Sequence, residues 1–281
     1  MLGYTWAKYK SNTSYMLRKF LTSFTGAGAA PPRARGNPIE DALLKQVVEA
    51  RAQDPLIGAR VAARELLRRL GNIFTQDQGV HAESLFCALG ALGGYACQAA
   101  VRAQATARGV APASLLTAER GADGHTYYSG NALHALLDGT PNGLWPLISE
   151  SARTLRFELL PDIREIFRHV DSTVGTPAFG KPRSAGPRAP RDLPFLYLRT
   201  HWTAFHPTVM KFCSAPEQWP MVYGFAIREA LERYRQQMEP GAAATLAMEC
   251  ADAMSRIDLA THGQPAEPVR RPARAATLAP L

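Results

Sequence analysis

The 281-residue sequence has no Walker loop, no G-x-S-x-G elbow, no H-E-x-x-H and no EF-hand loop. Each absence weakens one enzyme class, because each motif is the local geometry its chemistry needs. The four cysteines, Cys87, Cys97, Cys213 and Cys250, form no C-x-x-C pair. Free thiols in a reducing, cytoplasmic compartment are therefore expected, rather than a disulfide framework or a zinc ribbon. Cys87 and Cys97 fall on one expected helix, where a rise of ~1.5 Å per residue holds them roughly 15 Å apart. They cannot bridge each other.

Also missing is any uninterrupted apolar run of the roughly 18 residues that a spanning helix requires. The most apolar segment, SLFCALGALGGYACQAAV, is broken by glycines and a glutamine and reads as a buried core helix. The N-terminal segment lacks the apolar centre of a secretory leader, since Arg18 and Lys19 stand in its middle. No period of 20 to 50 residues recurs, which argues against a solenoid.

What is present describes a globule. Hydrophobic residues make up 46% and charged residues 20%, with a mean hydropathy of −0.16, the ordinary balance of a folded domain. The net charge of +8 invites a nucleic-acid reading until its distribution is examined. Residues 1–38 carry Lys8, Lys10, Arg18, Lys19, Arg33 and Arg35 and no acid, and residues 259–281 carry three arginines against Glu267. The span 39–258 is formally neutral, so the composition disfavours nucleic acid as a partner. Arginine-heavy, alanine-rich usage suggests a GC-rich bacterial origin.

The pattern predicts a mainly α fold, a compact multi-helix domain with a small β-hairpin near 114–128. Residues 1–38 read as a flexible basic, aromatic extension and linker, residues 39–258 as the helical domain, and 259–281 as a disordered tail. A Pro/Gly/Arg-rich stretch at 176–192 marks a subdomain break or a surface crossing. Ile39, Leu43, Val47 and Ala50 build one helical stripe. Leu56, Ala59, Ala63, Leu66 and Leu70 build the next, with Asp54 as its N-cap, Pro55 at its first position and Gly71 as its stop. Gly90, Gly93 and Gly94 cost a helix about 1 kcal/mol each, so close approach of neighbouring helices is expected there. An interruption is expected at Pro207, and i,i+4 ion pairs between Arg228 and Glu232 and between Glu229 and Arg233.

Chemistry-bearing residues are scattered. His81 and Glu83 resemble half of a zinc-deaminase signature whose P-C-x-x-C partner is missing, so His81 reads as a residue at a helix start. Arg60, Arg64 and Arg68 form a stripe that reads as a solvated face offset by nearby acids such as Glu65. Asp123, His125 and Tyr127 stand in the densest polar and aromatic cluster, GADGHTYYSGN, and His201 and His206 flank Trp202. These six are the candidate ligand-binding residues. A spacing of five turns His206 about 140° from His201 on a helix. Trp6, Lys8, Arg18, Lys19 and Phe20 suit docking to an anionic membrane surface or a partner.

No nucleophile, base and orienter assemble from the sequence, and no cofactor or metal site is expected. The leading expectation is a helical binding or protein-interaction protein, with a homo-oligomer or protein partner left open. The alternatives are an enzyme whose histidines His81, His125, His169, His201 and His206 gather only in three dimensions, and peripheral membrane association through the first 25 residues.

Overall fold

Helix α1 (Pro38–Ala50) opens the described part of the chain. The computed structural model describes residues 38–77, 79–155, 161–183 and 189–262. Residues 1–43 form one unit, described only over the first turns of α1, and residues 44–281 form a second that holds every other described element. Trp6, Lys8, Arg18, Lys19 and Phe20, with the whole membrane-docking expectation, lie outside the described residues, as does the chain beyond 262.

The second unit is mainly α. Helix α2 (Ile57–Phe74) leads through a two-residue hairpin, β1 (Thr75–Gln76) with β2 (Gly79–Val80), into α3 (Ala82–Ala107). A second hairpin follows, β3 (Thr117–Arg120) with β4 (Thr126–Ser129), and then the short helical stretch Asn131–His134, which widens into a π turn at Ala135–Gly139. Five helices complete the fold: α4 (Leu144–Thr154), α5 (Ile163–Thr173), α6 (Pro194–Phe212), α7 (Trp219–Arg233) and α8 (Pro240–Ser255).

Helix α3 is the centre. It is long and apolar enough to cross a membrane by length and composition, but 89% of its most apolar window is buried in the fold. Its glycines explain how α8 can lie against it. A Cβ on Gly90 would fall 2.1 Å from the Ala247 carbonyl oxygen, and one on Gly94 would fall 1.8 Å from that of Ala251. Gly93 faces elsewhere, against Tyr223 of α7 and Leu144 of α4. The propensity lost at these positions is offset by backbone-to-backbone approach that any side chain would prevent.

Buried polar groups fix the far end of this seam. Gln98 Nε2 donates to the Ser255 and Ile257 carbonyls, both at 2.9 Å. Arg256 donates to both carboxylate oxygens of Asp252, at 2.9 and 3.0 Å, and to Asp171 at 2.5 Å, tying α8 to α5. Burial pushes the Asp252 carboxyl up to about 6, with Arg256 opposing. The β3–β4 hairpin is held by the chain leaving α8. Tyr128 N–H donates to the Arg256 carbonyl at 2.7 Å, and Tyr127 bridges Ile257. Gly124, at φ +83°, supplies the left-handed turn residue of the hairpin loop.

Four local expectations are corrected. Helix α2 begins at Ile57 rather than Pro55, because the Asp54 carboxylate accepts the Leu56 N–H at 3.2 Å and closes a turn first. It passes Gly71 and ends at Phe74. Helix α6 runs unbroken through Pro207. The missing proline N–H frees only the carbonyl of Thr203, an exposed residue, while Arg69 packs beside this turn, donating to the Ala204 carbonyl at 3.5 Å and to Thr208 Oγ1 at 3.2 Å and covering the Phe205 ring. Arg228 pairs with Glu150 at 3.6 Å instead of Glu232, whereas Glu229 and Arg233 meet as expected at 2.6 Å. The Arg60, Arg64 and Arg68 stripe is neutralised by Asp54, Glu229 and Glu65 in turn.

Candidate functional site

Helix α6 carries two aromatic stripes on different faces. Phe195, Arg199, Trp202 and His206 recur at spacings of four, three and four, and so share one face. Tyr197, His201 and Phe205 share another. The second stripe is structural: the His201 ring stands among Phe74, Tyr197 and Phe205 at centroid distances of 6.1, 6.4 and 5.9 Å, and burial alone lowers its pKa.

The first stripe is half-exposed and continuous with rings from other elements. The Trp202 indole stacks on the His206 imidazole at 4.1 Å and 16°. Tyr95 of α3 meets Trp202 edge-on at 4.7 Å, and Trp219 meets His206 edge-on at 4.8 Å. Burial depresses the His206 pKa to about 4, and its Nδ1 has no hydrogen-bond partner among the described residues. The ring is therefore a neutral stacking surface at physiological pH.

Two arginines flank this shelf. Arg199 lies over Phe195 at 5.5 Å, and Arg102 of α3 lies over Tyr128 of β4 at 4.4 Å while donating to Gln98 Oε1 at 3.2 Å. Within the described residues neither guanidinium has an acidic partner. Burial raises the Tyr95 hydroxyl, the charge of Arg102 opposes that rise and the carboxylate of Asp258 adds to it, and Asp258 accepts the Tyr128 hydroxyl at 3.4 Å on the ring that Arg102 covers.

The hairpin loop forms the other end. Asp123 accepts the Tyr127 hydroxyl at 2.6 Å and the His125 N–H at 3.0 Å. Burial works against its charge, but these donors outweigh it, and the carboxyl titrates below its ordinary range. Tyr127 is raised by burial and by Asp123. The His125 ring lies 4.7 Å from His262, which in turn touches Phe195 of α6 at 4.9 Å. Burial and the nearby His125 charge lower His262, whose Nδ1 finds no partner among the described residues. Of the six candidate residues, Trp202 and His206 stack together, and Asp123, His125 and Tyr127 cluster and reach α6 through His262 and Phe195. His201 is turned away from both groups. No sequence motif marks Tyr95, Arg102, Arg199 or His262, which belong to the face only because α3, α6 and the end of α8 converge.

The remaining histidines go elsewhere. His81 caps α3, its Nδ1 accepting the Ser84 N–H at 3.2 Å and facing the Ser84 hydroxyl at 2.9 Å, while its Nε2 lies 3.9 Å from Glu83. A serine, an imidazole and a carboxylate have the composition of a hydrolytic triad. Here, however, Ser84 is 0% exposed, and its hydroxyl also accepts from Tyr197 at 2.8 Å and from the Arg191 N–H at 3.2 Å. A saturated, enclosed hydroxyl anchors the loop before α6 and offers no attacking oxygen. His169 lines a crevice beside α8 and Asp171 pairs with Arg256. Among the described residues no three His, Cys, Asp or Glu side chains are placed to hold a metal ion.

Taken together, the face offers stacking surfaces, two cations and a hydrogen-bonding end, with no nucleophile addressed by a base among the described residues. No protein-family model, curated protein or solved structure matches the chain.

Proposed function

We propose that this chain is a non-enzymatic helical binding protein whose ligand face is the Tyr95–Trp202–His206 shelf, and that the ligand is a planar aromatic anion. The observation that carries the reading is the pairing of half-exposed stacked rings with Arg102 and Arg199, neither of which forms a salt bridge among the described residues. A ring laid on Trp202 gains stacking and apolar burial, and a carboxylate or similar anion on that ring gains a charge-assisted contact. The four buried free thiols support the expected reducing, cytoplasmic setting.

The test is calorimetric titration with 2-naphthoate and with neutral 2-naphthalenemethanol. The wild type should bind the naphthoate more tightly. Trp202→Ala should weaken both ligands by about tenfold, as expected for loss of an aromatic contact worth about 1–1.5 kcal/mol. Arg102→Gln with Arg199→Gln should weaken only the anion. Equal binding of both compounds to all variants would remove the shelf as the site.

A further inference from the structure

Cys87 of α3 and Cys250 of α8 face each other with their sulfurs 3.5 Å apart, in the seam that Gly90 and Gly94 allow to close. Both are free and buried, and neither Cys97 nor Cys213 has a thiol neighbour at that range. Cys250 also lines a narrow surface crevice with His169, Thr173, Lys181, Pro182, Pro194 and Glu249. The closed crevice has room for no more than about one water molecule, so a small peroxide reaches Cys250 only when it opens, and a bulky disulfide oxidant is excluded. We propose that Cys87 and Cys250 are a peroxide-modified pair that closes into an intramolecular disulfide, stapling α3 to α8.

The chemistry balances with one peroxide. Cys250 thiolate attacks a peroxide oxygen, the O–O bond breaks, and Cys250 sulfenic acid and hydroxide form. The Cys87 sulfur then attacks the Cys250 sulfur, the S–O bond breaks, and the departing hydroxide takes the Cys87 proton as water. Two thiols lose two electrons and two protons, and the peroxide becomes two waters. Cys250 leads because it borders the crevice, and Cys87 resolves because it is the one sulfur within reach. The sulfurs need to close by about 1.5 Å to reach bonding distance. Burial, with Cys87 and Glu249 alongside, pushes the Cys250 thiol up. Oxidation is therefore slow, paced by opening of the crevice.

The closed loop joins residues 163 apart in sequence, so the disulfide strongly restricts the unfolded chain. The experiment treats the folded, full-length protein with hydrogen peroxide, quenches, alkylates under denaturing conditions and maps peptides by mass spectrometry without reduction. The expected result is a Cys87–Cys250 linked peptide, with Cys97 and Cys213 alkylated. The oxidised protein should melt about 5 °C or more above the reduced one, a rise absent in Cys250→Ser. Recovery of Cys87 and Cys250 as separate alkylated or sulfinic peptides would overturn the proposal, as would linkage to any other cysteine. The peptide map uses the wild type, so it decides even if the serine variant folds poorly.

Discussion

Replacing Gly94 by alanine reverses the usual sign of a helical glycine substitution. In an unconstrained helix interior, Gly→Ala stabilises by about 1 kcal/mol through propensity. At Gly94 the new Cβ would lie 1.8 Å from the Ala251 carbonyl oxygen and 2.5 Å from its carbon. Real contacts of this kind do not fall below about 3 Å, so α3 and α8 must separate by more than ~1 Å along a seam that is packed at crystal-like density. Overpacking costs about 1–3 kcal/mol where side chains can adjust. Here the obstacle is backbone, which places Gly94→Ala at about 3 kcal/mol destabilising or more, a fall in Tm of roughly 6–12 °C for a chain of this size. Gly71 of α2 is the internal control, because its added Cβ would meet only the Tyr234 hydroxyl at 3.4 Å. Gly71→Ala should therefore stabilise by up to about 1 kcal/mol. Urea denaturation followed by far-UV circular dichroism measures both. A Gly94→Ala protein as stable as the wild type would refute the close-approach argument.

Two further outcomes follow from polar groups that are partly or fully buried. The folded pKa of His206 is depressed to about 4 against about 6.5 in the unfolded chain. The unfolded state therefore takes up a proton first, and stability present above pH 6.5 is lost as pH falls toward 4. After allowance for the ring's partial exposure the loss is about 1–2 kcal/mol. Urea midpoints should show His206→Phe, which keeps a ring on Trp202, escaping that part of the acid destabilisation, and parallel pH profiles for the two proteins would contradict it. Gln98→Leu leaves the Ser255 and Ile257 carbonyls without their donor, at a cost of about 1–3 kcal/mol. Amide hydrogen exchange at Tyr127 and Tyr128 should then accelerate more than exchange in α2, whereas uniform acceleration would show that the hairpin is anchored elsewhere.

The legible parts of the fold were those that periodicity controls. Ala59, Ala63, Leu66 and Leu70 of the α2 stripe are all buried, and the glycines of α3 mark a close helix contact because a glycine in a helix interior needs a compensating cause. The β3–β4 hairpin was legible from the Asp123-Gly124 turn. Less legible were features decided by partners far away in sequence. Pro207 reads as a break, and nothing local announces Arg69 beside it. Arg228 has a partner at the right helical spacing, yet Glu150 of α4 is where its side chain goes.

The proposed binding face was legible only in pieces. Trp202 with His206, and Asp123 with His125 and Tyr127, stand out as local clusters of unusual composition. His201 looks equivalent to His206 in the sequence, but the helical turn sends it to a different aromatic group. Tyr95 and Arg102 sit in an apolar helix with no distinguishing motif, and they matter only because α3 passes beneath α6 and β4. Cys87 and Cys250 are likewise ordinary buried cysteines until α3 and α8 come together. Long-range convergence of this kind leaves no signature at short range.

The most direct test of the central claim is nuclear magnetic resonance of the tryptophan indole N–H signals during titration with 2-naphthoate. The Trp202 signal, assigned by its absence in Trp202→Phe, should move saturably from ring-current shielding as the ligand stacks on it. The Trp145 signal, from a ring 8% exposed, should stay in place. A titration in which the Trp202 signal does not move, or in which Trp145 moves as far, would contradict the assignment of this shelf as the binding face.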